Sequence, residues 1–334
     1  MTEIKNCPST LTEGYSTYSP YAVKHLFDGR KASHLLTFNI SEMRKYDAIT
    51  KAMQYISVSG AQEKFSAVVD NGNIRMANTK ERSTHIIKPV PWDETLLTRK
   101  QIPANEHLTM QIASQVYGIQ TAENGLCFTK DGQAAYITKR FDITSNGMKM
   151  EMEDFATLLG RNEQTDGKHF KYDGCYEDIA ICIRRYIPAW MVDMERFFEL
   201  VVFNYIYANG DAHLKNFSII NKDGGYRLAP AYDLINTSLH IADDDFALER
   251  GLSEDMEKSD VYIRMGHPCR TDFERFGIRI GLVGSRIKRI LDKYTVIPNQ
   301  TKTLINNSYL NEKMKRTYIR IVDERIKRFI RISE

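Results

Sequence analysis

Three side chains of the types that activate a hydroxyl and hold metal ions lie close together in the chain. Asp211 and Asn216 belong to the run 209–217, NGDAHLKNF, and Asp233 follows shortly downstream. An aspartate can orient an attacking hydroxyl and accept its proton, while amide and carboxylate oxygens are ligands that Mg²⁺ prefers. Protein kinases use the same five-residue step from catalytic aspartate to metal-binding asparagine. The spacing predicts a phosphoryl-transfer site with Asp211 as base and Asn216 and Asp233 as metal ligands.

Two further residues of the same run have chemistry of their own. Lys215 could stabilise the negative charge that develops on a transferred phosphoryl group, so we count it as a catalytic candidate. His213 lies between the two key polar residues. We place it among the candidate nucleotide-binding residues, although a histidine that only organises the loop is the simpler interpretation.

The segments before this run could contact nucleotide phosphates. Residues 57–64, SVSGAQEK, form a small-residue loop whose backbone N–H groups could approach phosphate oxygens, but its lone glycine also suits an ordinary loop. Lys88 ends the apolar strand HIIK and could pair with the phosphates; the alternative is a solvated strand end. Glu106, in the first turn of the next helix, could hold that lysine or complement the helix dipole.

Two charge-rich segments have simpler interpretations. Asp243, Asp244 and Asp245 are consecutive, and three adjacent carboxylates cannot all face one ion, so we predict a solvated acidic loop. Residues 311–331 interleave basic and apolar side chains, which is typical of an amphipathic helix with a basic outer face. A patch for nucleic acid or an acidic protein is the alternative for that helix.

Composition permits an enzyme without indicating one. The 334 residues, 42% hydrophobic and 27% charged, are ordinary for a soluble globular protein. No apolar run approaches the roughly 18–20 residues that span a bilayer, and no secretory signal is visible. The five cysteines are scattered and suit neither a zinc site nor a disulfide framework, which favours reduced thiols in a cytoplasm. A net charge of +3 is too small to imply a nucleic-acid partner.

The character of the chain changes near its middle. Strand-like runs occupy 65–69, 83–88, 125–128 and 134–140, and Pro103 opens a helix between them. Helical periodicity dominates later, at 151–160, 176–186, 190–208, 272–281, 284–294 and 311–331. We therefore predict an α+β, two-lobed protein-kinase-like fold, with a small β-containing N-lobe at 1–145, a larger all-helical C-lobe at 146–334, and nucleotide in the cleft.

Several segments together resemble the HipA family of bacterial serine/threonine kinases, the toxins of toxin–antitoxin modules. The family order is kept over about residues 55–240, and the matching segments are 59–64, 85–89, 105–106, 140–142, 209–218 and 228–233. The 209–218 motif is moderately specific, and the others gain weight from their order. The resemblance implies ATP and Mg²⁺ as cofactors.

The resemblance also assigns roles to individual residues. It implies that Lys88 contacts the ATP phosphates, that Asp211 is the catalytic base, and that Asn216 and Asp233 bind Mg²⁺. The implied nucleotide site further includes Ser59, Gly60 and Ala61 of the phosphate loop, with Glu106, Lys139, Phe141 and His213. Relatives often carry an acid where this chain has Lys139, so we expect backbone groups to recognise adenine. Autophosphorylation is expected at Ser57 or Ser59.

Partners follow from the same resemblance. Targets in the family include aminoacyl-tRNA synthetases, and the usual partner is a small helix-turn-helix DNA-binding antitoxin, which implies that nucleic acid is reached only indirectly. About 55 residues precede the serine loop, where full-length members carry an additional N-terminal subdomain. We therefore expect a short form whose missing piece is supplied by a separate small protein.

Two other classes of function fit part of the pattern. Small-molecule kinases of the aminoglycoside or choline type also place an asparagine five residues after Gly-Asp, but usually have histidine before that glycine, where this chain has Asn209. A non-catalytic kinase shell that holds a DNA-binding partner is the second alternative. Intact Lys88, Asp211, Asn216 and Asp233 argue against the shell, because it is free to lose them.

Overall fold

The computed structural model describes residues 4–50, 63–78, 80–144 and 146–331. The chain forms two compact units. The first comprises residues 1–112, 121–149 and 303–315, and the second comprises 113–120, 150–302 and 316–334. Among the described helices, none is both long and apolar enough to cross a membrane. The five cysteines are free and buried, as their scattered positions predict.

The first unit is built on a five-stranded antiparallel sheet in the order β2-β1-β3-β5-β4. Its strands are β1 Phe65–Asp70, β2 Asn73–Met76, β3 His85–Lys88, β4 Asn124–Phe128 and β5 Ala134–Lys139. The hairpin between β1 and β2 turns at Asn71 and Gly72, both of which have positive φ (48° and 77°). This is the two-residue turn whose twist matches that of paired strands, and asparagine and glycine tolerate it.

Helices cover this sheet and complete its core. They are α1 Pro20–Leu26, α2 Ile40–Thr50 and the start of α3 Ile102–Gln115. Ser19 caps α1 by accepting a hydrogen bond from the Ala22 N–H, which satisfies one free donor of the first turn. Leu26, Phe27 and Ile87 are buried together in one apolar cluster with residues of β1 and β5. The sheet and α3 thereby position Lys88 and Glu106.

The second unit is mostly helical. Its helices are α4 Phe155–Leu158, α5 Glu163–Asp166, α6 Tyr176–Tyr186, α7 Trp190–Ile206, α8 Asp260–Met265, α9 Arg270–Arg279, α10 Gly284–Leu291 and most of α12 Glu312–Phe329, with α11 Asn299–Asn307 running into the first unit. Buried aromatic rings join them: Phe197 of α7 meets Phe217 with ring centroids 5.6 Å apart, and Phe273 of α9 meets Phe329 of α12 at 5.6 Å. Packing around α7 thus holds the segment that follows it.

The second unit also contains a three-stranded antiparallel sheet, which corrects the expectation of an all-helical C-lobe. Its strands, in the order β6-β7-β8, are Met152–Asp154, Ser218–Lys222 and Gly225–Leu228. The predicted helix at 151–160 is therefore a strand followed by the single turn α4. Asp154 separates the two, because its backbone is extended and its side chain caps α4 by accepting the Thr157 N–H at 2.9 Å.

Burial of histidines makes the fold acid-sensitive, and His107 on α3 provides the clearest test. Its Nε2 donates to the Ser9 carbonyl at 2.7 Å, while its buried Nδ1 has no hydrogen-bond partner among the described residues. Burial lowers the His107 pKa from 6.5 to about 4. Between pH 6.5 and 4, His107 is protonated in the unfolded chain but not in the folded chain. The free energy of unfolding therefore decreases as the pH falls through this window.

Replacing His107 by glutamine should remove this contribution. We expect the wild-type protein to lose about 2 kcal/mol more free energy of unfolding between pH 7 and pH 5 than His107→Gln does, measured by urea denaturation at both pH values. The other buried histidines are common to both proteins and cancel in the comparison. Equal losses in the two proteins would contradict the assignment of this proton to His107.

Candidate active site

The loop after α7 has a strained backbone that side-chain hydrogen bonds hold in place. Ala208 has a positive φ of 52° and turns the chain away from the helix axis. The Asn209 side chain donates to Asn204 Oδ1 at 2.9 Å and accepts the Asp211 N–H at 3.3 Å. The Asn209 amide thus links the last turn of α7 to the backbone N–H of Asp211, which fixes the position of the Asp211 backbone relative to the helix.

Gly210 is required by close packing. A Cβ atom at this position would lie 2.3 Å from Oδ2 of Asp243, so no other residue fits without moving that carboxylate. The Gly210 N–H donates to Thr237 Oγ1 at 2.9 Å, and that hydroxyl donates in turn to the Ala208 carbonyl at 3.0 Å. Thr237 therefore ties the loop to the segment that follows Asp233.

A second tie joins the same two segments closer to the predicted metal ligands. The Tyr232 hydroxyl donates to the Lys215 carbonyl at 2.9 Å and lies 2.5 Å from the Ser218 hydroxyl. Asp233, the next residue, has a left-handed backbone with φ of 57°, an uncommon conformation for an aspartate. Hydrogen bonds on both sides of Asp233 thus bring it back to the 208–218 segment.

The electrostatics of His213 show that both carboxylates lie near one buried imidazole. Burial lowers its pKa to about 4, Asp211 and Asp233 oppose this by raising it, and Lys171 lowers it further. Its Nε2 is 3.9 Å from Asp211 Oδ1, and its buried Nδ1 has no hydrogen-bond partner among the described residues. His213 is therefore neutral at pH 7, lies beside Asp211 and packs the loop.

Asn216 presents an oxygen that the described protein groups do not satisfy. Its N–H donates to the His213 carbonyl at 2.9 Å, while its side-chain Oδ1 is buried without a hydrogen-bond partner among the described residues. A buried acceptor without a hydrogen bond costs about 1–3 kcal/mol of stability, and a cation bound at that oxygen would remove the cost. Amide and carboxylate oxygens from Asn216 and Asp233 are the donor set that fits Mg²⁺.

The protein ligands alone are few, which is usual for this metal. Within the described ranges, no group of three or more His, Cys, Asp or Glu side chains is arranged to hold a metal ion. Mg²⁺ keeps several waters and is commonly bound by one or two protein carboxylates together with substrate phosphates. The residues present therefore fit an ion that arrives with a nucleotide.

Tyr172 is a site residue that the sequence did not reveal. Its hydroxyl donates to Asp211 Oδ1 at 2.7 Å, and its ring meets that of His213 edge-on with centroids 5.2 Å apart. Burial raises the Tyr172 pKa, and the charges of Asp211 and Asp243 raise it further, so the hydroxyl stays protonated as a donor. No local spacing signals this contact, because Tyr172 and Asp211 are 39 residues apart.

The Lys215 side chain is more exposed than those of Asp211 and His213 and lies beside Asp154. Its Nζ lies 3.3 Å from Asp154 Oδ2 and 5.8 Å from the centroid of the Phe170 ring, and the side chain is 39% exposed. Asp154 is the last residue of β6 and the N-cap of α4. The three-stranded sheet that was not predicted from the sequence therefore also positions the Lys215 ammonium. The ammonium remains partly in solvent, where a substrate group can reach it.

The acidic run 243–245 is solvated only at Asp244, whereas the sequence suggested a solvated loop throughout. Asp243 is partly buried against Gly210, and burial raises its pKa. Asp245 is paired with His267 at 2.7 Å and with Arg325, a buried arginine of α12. The prediction was wrong because its long-range cationic partners lie far away in sequence.

In the first unit, Lys88 and Glu106 form a buried ion pair. Lys88 Nζ is 2.5 Å from Glu106 Oε1, with the two side chains 3% and 2% exposed, and it also lies 5.3 Å from the centroid of the Tyr136 ring. The alternative of a solvated strand end is therefore wrong for Lys88. Of the two roles open for Glu106, the structure shows the one that holds this lysine.

Lys139 is placed apart from that pair. It lies opposite His85 in the β3–β5 register, at the other end of β3 from Lys88. Its Nζ is 2.5 Å from Asp28 Oδ1 and donates to the His25 carbonyl at 3.2 Å, so the ammonium has partners within the first unit.

The remaining predicted residues are placed as follows. Phe141, half-buried, lies in the turn after β5. The phosphate-loop residues Ser57, Ser59, Gly60 and Ala61 lie outside the described residues.

The candidate residues thus form two groups, one in each unit, and comparison with known proteins shows the family of the chain. The model of the HipA-like C-terminal domain matches residues 56–300. The chain belongs to this family. The predicted HipA resemblance is confirmed, and the match covers every residue assigned above to the two groups.

Individual relatives agree with this membership. This HipA-like chain is 26% identical over 238 residues to a Haemophilus influenzae protein named "Putative kinase", a match that covers 69% of the chain and 66% of the relative. It is 32% identical over 208 residues to "Putative kinase Y4dM" of Sinorhizobium fredii, covering 57% of the chain and 47% of the relative. The chain therefore spans between about half and two-thirds of the length of these relatives.

Solved structures show the fold. The chain is similar to HipA in the complex of Shewanella oneidensis HipA, HipB and operator DNA, with a TM-score of 0.63, 18% identity, and coverage of 83% of this chain and 66% of that one. It is also similar to the Helicobacter pylori proinflammatory kinase CtkA, with a TM-score of 0.50, 16% identity, and coverage of 79% and 90%. The predicted kinase-like α+β fold is confirmed by these likenesses.

Proposed function

We propose that this HipA-like protein is an ATP-dependent serine/threonine protein kinase that acts as the toxin of a bacterial toxin–antitoxin module. The observation that carries the proposal is the buried Oδ1 of Asn216, to which no group of the described residues donates a hydrogen bond. It lies in the loop of Asp211, and the charges of both Asp211 and Asp233 reach the same imidazole. An oxygen kept without a donor at that place is suited to a metal–nucleotide complex.

Each residue then has a defined task. Asp211, held by the Tyr172 hydroxyl on Oδ1, aligns the acceptor hydroxyl and takes its proton. Lys88, kept in place by Glu106, contacts the phosphates, and Lys215 stabilises charge on the transferred group. Asn216 and Asp233 hold Mg²⁺, which when bound neutralises charge on the triphosphate. The bond between the γ-phosphorus of ATP and the oxygen it shares with the β-phosphate breaks, a bond from that phosphorus to the substrate hydroxyl oxygen forms, and ADP is the leaving group.

The proposed partners follow from the named relatives. The Shewanella protein is described in a complex with HipB and operator DNA. We extend this to a helix-turn-helix antitoxin for the present chain, through which nucleic acid is contacted indirectly. The proposed substrate is a cytoplasmic protein, with aminoacyl-tRNA synthetases as the first targets to examine.

Transfer of labelled phosphate tests the activity directly. The purified chain is incubated with γ-labelled ATP and Mg²⁺ in the presence of either a bacterial lysate or a set of aminoglycosides and choline. We expect label in protein bands with the wild type and none with Asp211→Asn. Label in the small molecules alone would assign the chain to the other kinase class, and ATP binding without turnover would indicate a non-catalytic shell.

Autophosphorylation is expected to switch the enzyme off. A phosphate on Ser57 or Ser59 adds about −1.5 to −2 charge at neutral pH, which repels ATP phosphates from the predicted phosphate loop. After incubation with ATP and Mg²⁺, mass spectrometry should find phosphate on one or both serines, and the modified protein should transfer less label than Ser57→Ala/Ser59→Ala. Two unmodified serines after prolonged incubation with an active enzyme would refute the switch.

A further inference from the structure

A groove of about 310 Å³ lies in the second unit between α6 and the C-terminal end of α9. Ile181 and Arg185 line it from α6, and Arg279 and Ile280 line it from α9 and the residue after it. None of the candidate active-site residues lines the groove. It is therefore a separate surface feature whose chemistry needs its own explanation.

The groove carries positive charge that the described protein groups do not neutralise. Arg279 Nε donates to Glu177 Oε2 at 2.7 Å, and Ser253 donates to the same oxygen at 2.6 Å, so Glu177 is already satisfied. Arg184 and Arg185 also line the groove, and neither has a carboxylate partner among the described residues. Three guanidinium groups thus face one carboxylate, which leaves a positive excess.

Arg184 is held by a hydrogen bond to a backbone carbonyl, and the guanidinium groups of both Arg184 and Arg185 lie near aromatic rings. Arg184 Nη2 donates to the Ile280 carbonyl at 2.9 Å, and its Cζ lies 4.9 Å from the centroid of the Trp190 ring. Arg185 Cζ lies 5.3 Å from the centroid of the Tyr186 ring. Guanidinium groups supported on aromatic faces lose less entropy when they bind a carboxylate, because their orientation is already limited.

An exposed apolar side chain lies among these charges. Ile181, on the groove wall, is 58% exposed, and Ile278 and Val283, close to Arg279 and Ile280 in the sequence, are 65% and 61% exposed. An aliphatic side chain among positive charges fits a ligand with carboxylates and aliphatic side chains at alternating positions. A highly charged ligand without apolar groups would leave these isoleucines in water.

We propose that this groove docks an acidic, aliphatic segment of the protein substrate. Charge complementarity selects that occupant, and α6 relates it to the chemistry: the Tyr176 hydroxyl, in the first turn of the same helix, donates to the Ala212 carbonyl beside Asp211 at 3.0 Å. The groove lies within about two turns of that contact along the helix. The proposal rests on the proposed function only in taking the substrate to be a protein.

Binding without ATP tests the groove independently of catalysis. The full chain is titrated into a short fluorescein-labelled peptide in which aspartate and leucine alternate, and into the same peptide with asparagine in place of aspartate, with anisotropy as the readout. We expect the acidic peptide to bind about tenfold more tightly than the amide peptide, with a difference that shrinks as salt is raised.

Variants locate the binding. Arg185→Ala should weaken the acidic peptide severalfold, and Ile181→Gln should weaken both peptides; both residues are exposed, so neither change threatens the fold. The matched control is Arg264→Ala, an exposed arginine outside the groove, which should bind as the wild type does. Equal binding of the two peptides, or wild-type binding by Arg185→Ala, overturns the proposal.

The outcomes also separate this proposal from the kinase proposal and from a rival occupant. Peptide binding by a chain that transfers no phosphate would support the groove and refute the proposed function. Phosphate transfer without groove-dependent binding would do the reverse. A concentration-dependent dimer in sedimentation that Ile181→Gln abolishes would assign the groove to a second copy of the chain and overturn the substrate role.

Discussion

Replacing Asp211 by asparagine is expected to lower the rate of phosphoryl transfer about 10²–10⁴-fold, the usual contribution of a positioned base. Asparagine keeps the size of the side chain and an oxygen that can accept the Tyr172 hydroxyl, so the loop should fold as in the wild type. What is lost is the charge that orients the acceptor hydroxyl and takes its proton. Initial rates of label transfer at saturating ATP and Mg²⁺ measure the effect.

Two variants control this experiment. Asp223 is exposed in the turn between β7 and β8 with φ of 54°, a conformation that asparagine also tolerates, so Asp223→Asn should keep full activity. Tyr172→Phe removes one hydrogen bond to the base and should slow transfer by about tenfold, less than the loss of the base itself. Wild-type rates for folded Asp211→Asn would eliminate Asp211 as the base.

The helices and strands were predicted best where the apolar residues that give the sequence its period are also buried in the fold. The helix expected at 176–186 is Tyr176–Tyr186, and that at 190–208 is Trp190–Ile206. The strand expected at 83–88 is His85–Lys88. In each case the apolar positions that define the period face a core, so local propensity and tertiary burial favour the same structure.

Strand β6 of the second unit's sheet was missed because its pairing is not local. Met152–Asp154 has too few residues to show a two-residue period, and it pairs with Ser218–Lys222 far along the chain. A usable signal existed in Asp223-Gly224, a turn dipeptide between two β-rich runs. Identifying that hairpin would have shown that the C-lobe is not all helical.

The site was predictable only as far as its motif extends. Asp211 and Asn216 occur in one run, and the kinase spacing points to them. Tyr172 holds Asp211 directly and Thr237 holds the neighbouring Gly210, each through a single contact from a separate segment. No residue type or spacing distinguishes these side chains from polar residues that only face solvent, so only the folded chain reveals them.

Breaking the buried pair of Lys88 and Glu106 is expected to have the largest effect on stability. Lys88→Met leaves a carboxylate that is 2% exposed without the ammonium 2.5 Å away, and removing one partner of a buried pair costs about 3–5 kcal/mol. Glu106→Gln should cost a similar amount for the converse reason. Urea denaturation at pH 7 measures the loss of unfolding free energy.

The double variant Lys88→Met/Glu106→Leu separates stability from function. Replacing both charges by apolar groups of similar volume is often neutral, so this variant should be more stable than either single variant. It should nevertheless bind a fluorescent ATP analogue at least about tenfold more weakly, because the charge-assisted contact to the phosphates is gone. A stable double variant with wild-type nucleotide affinity would restrict the pair to a structural role.

An exposed pair shows why burial decides this outcome. Lys327 lies 2.6 Å from Asp323 on α12, but the two side chains are 70% and 48% exposed. Water solvates either partner when the other is removed, so Lys327→Met should leave the unfolding midpoint nearly unchanged. The two substitutions are chemically identical, and both remove an ammonium from a carboxylate at almost the same distance. A large loss for Lys88→Met beside a negligible one for Lys327→Met would therefore measure the desolvation of Glu106, whereas equal losses would show that the Lys88 pair is not buried in solution.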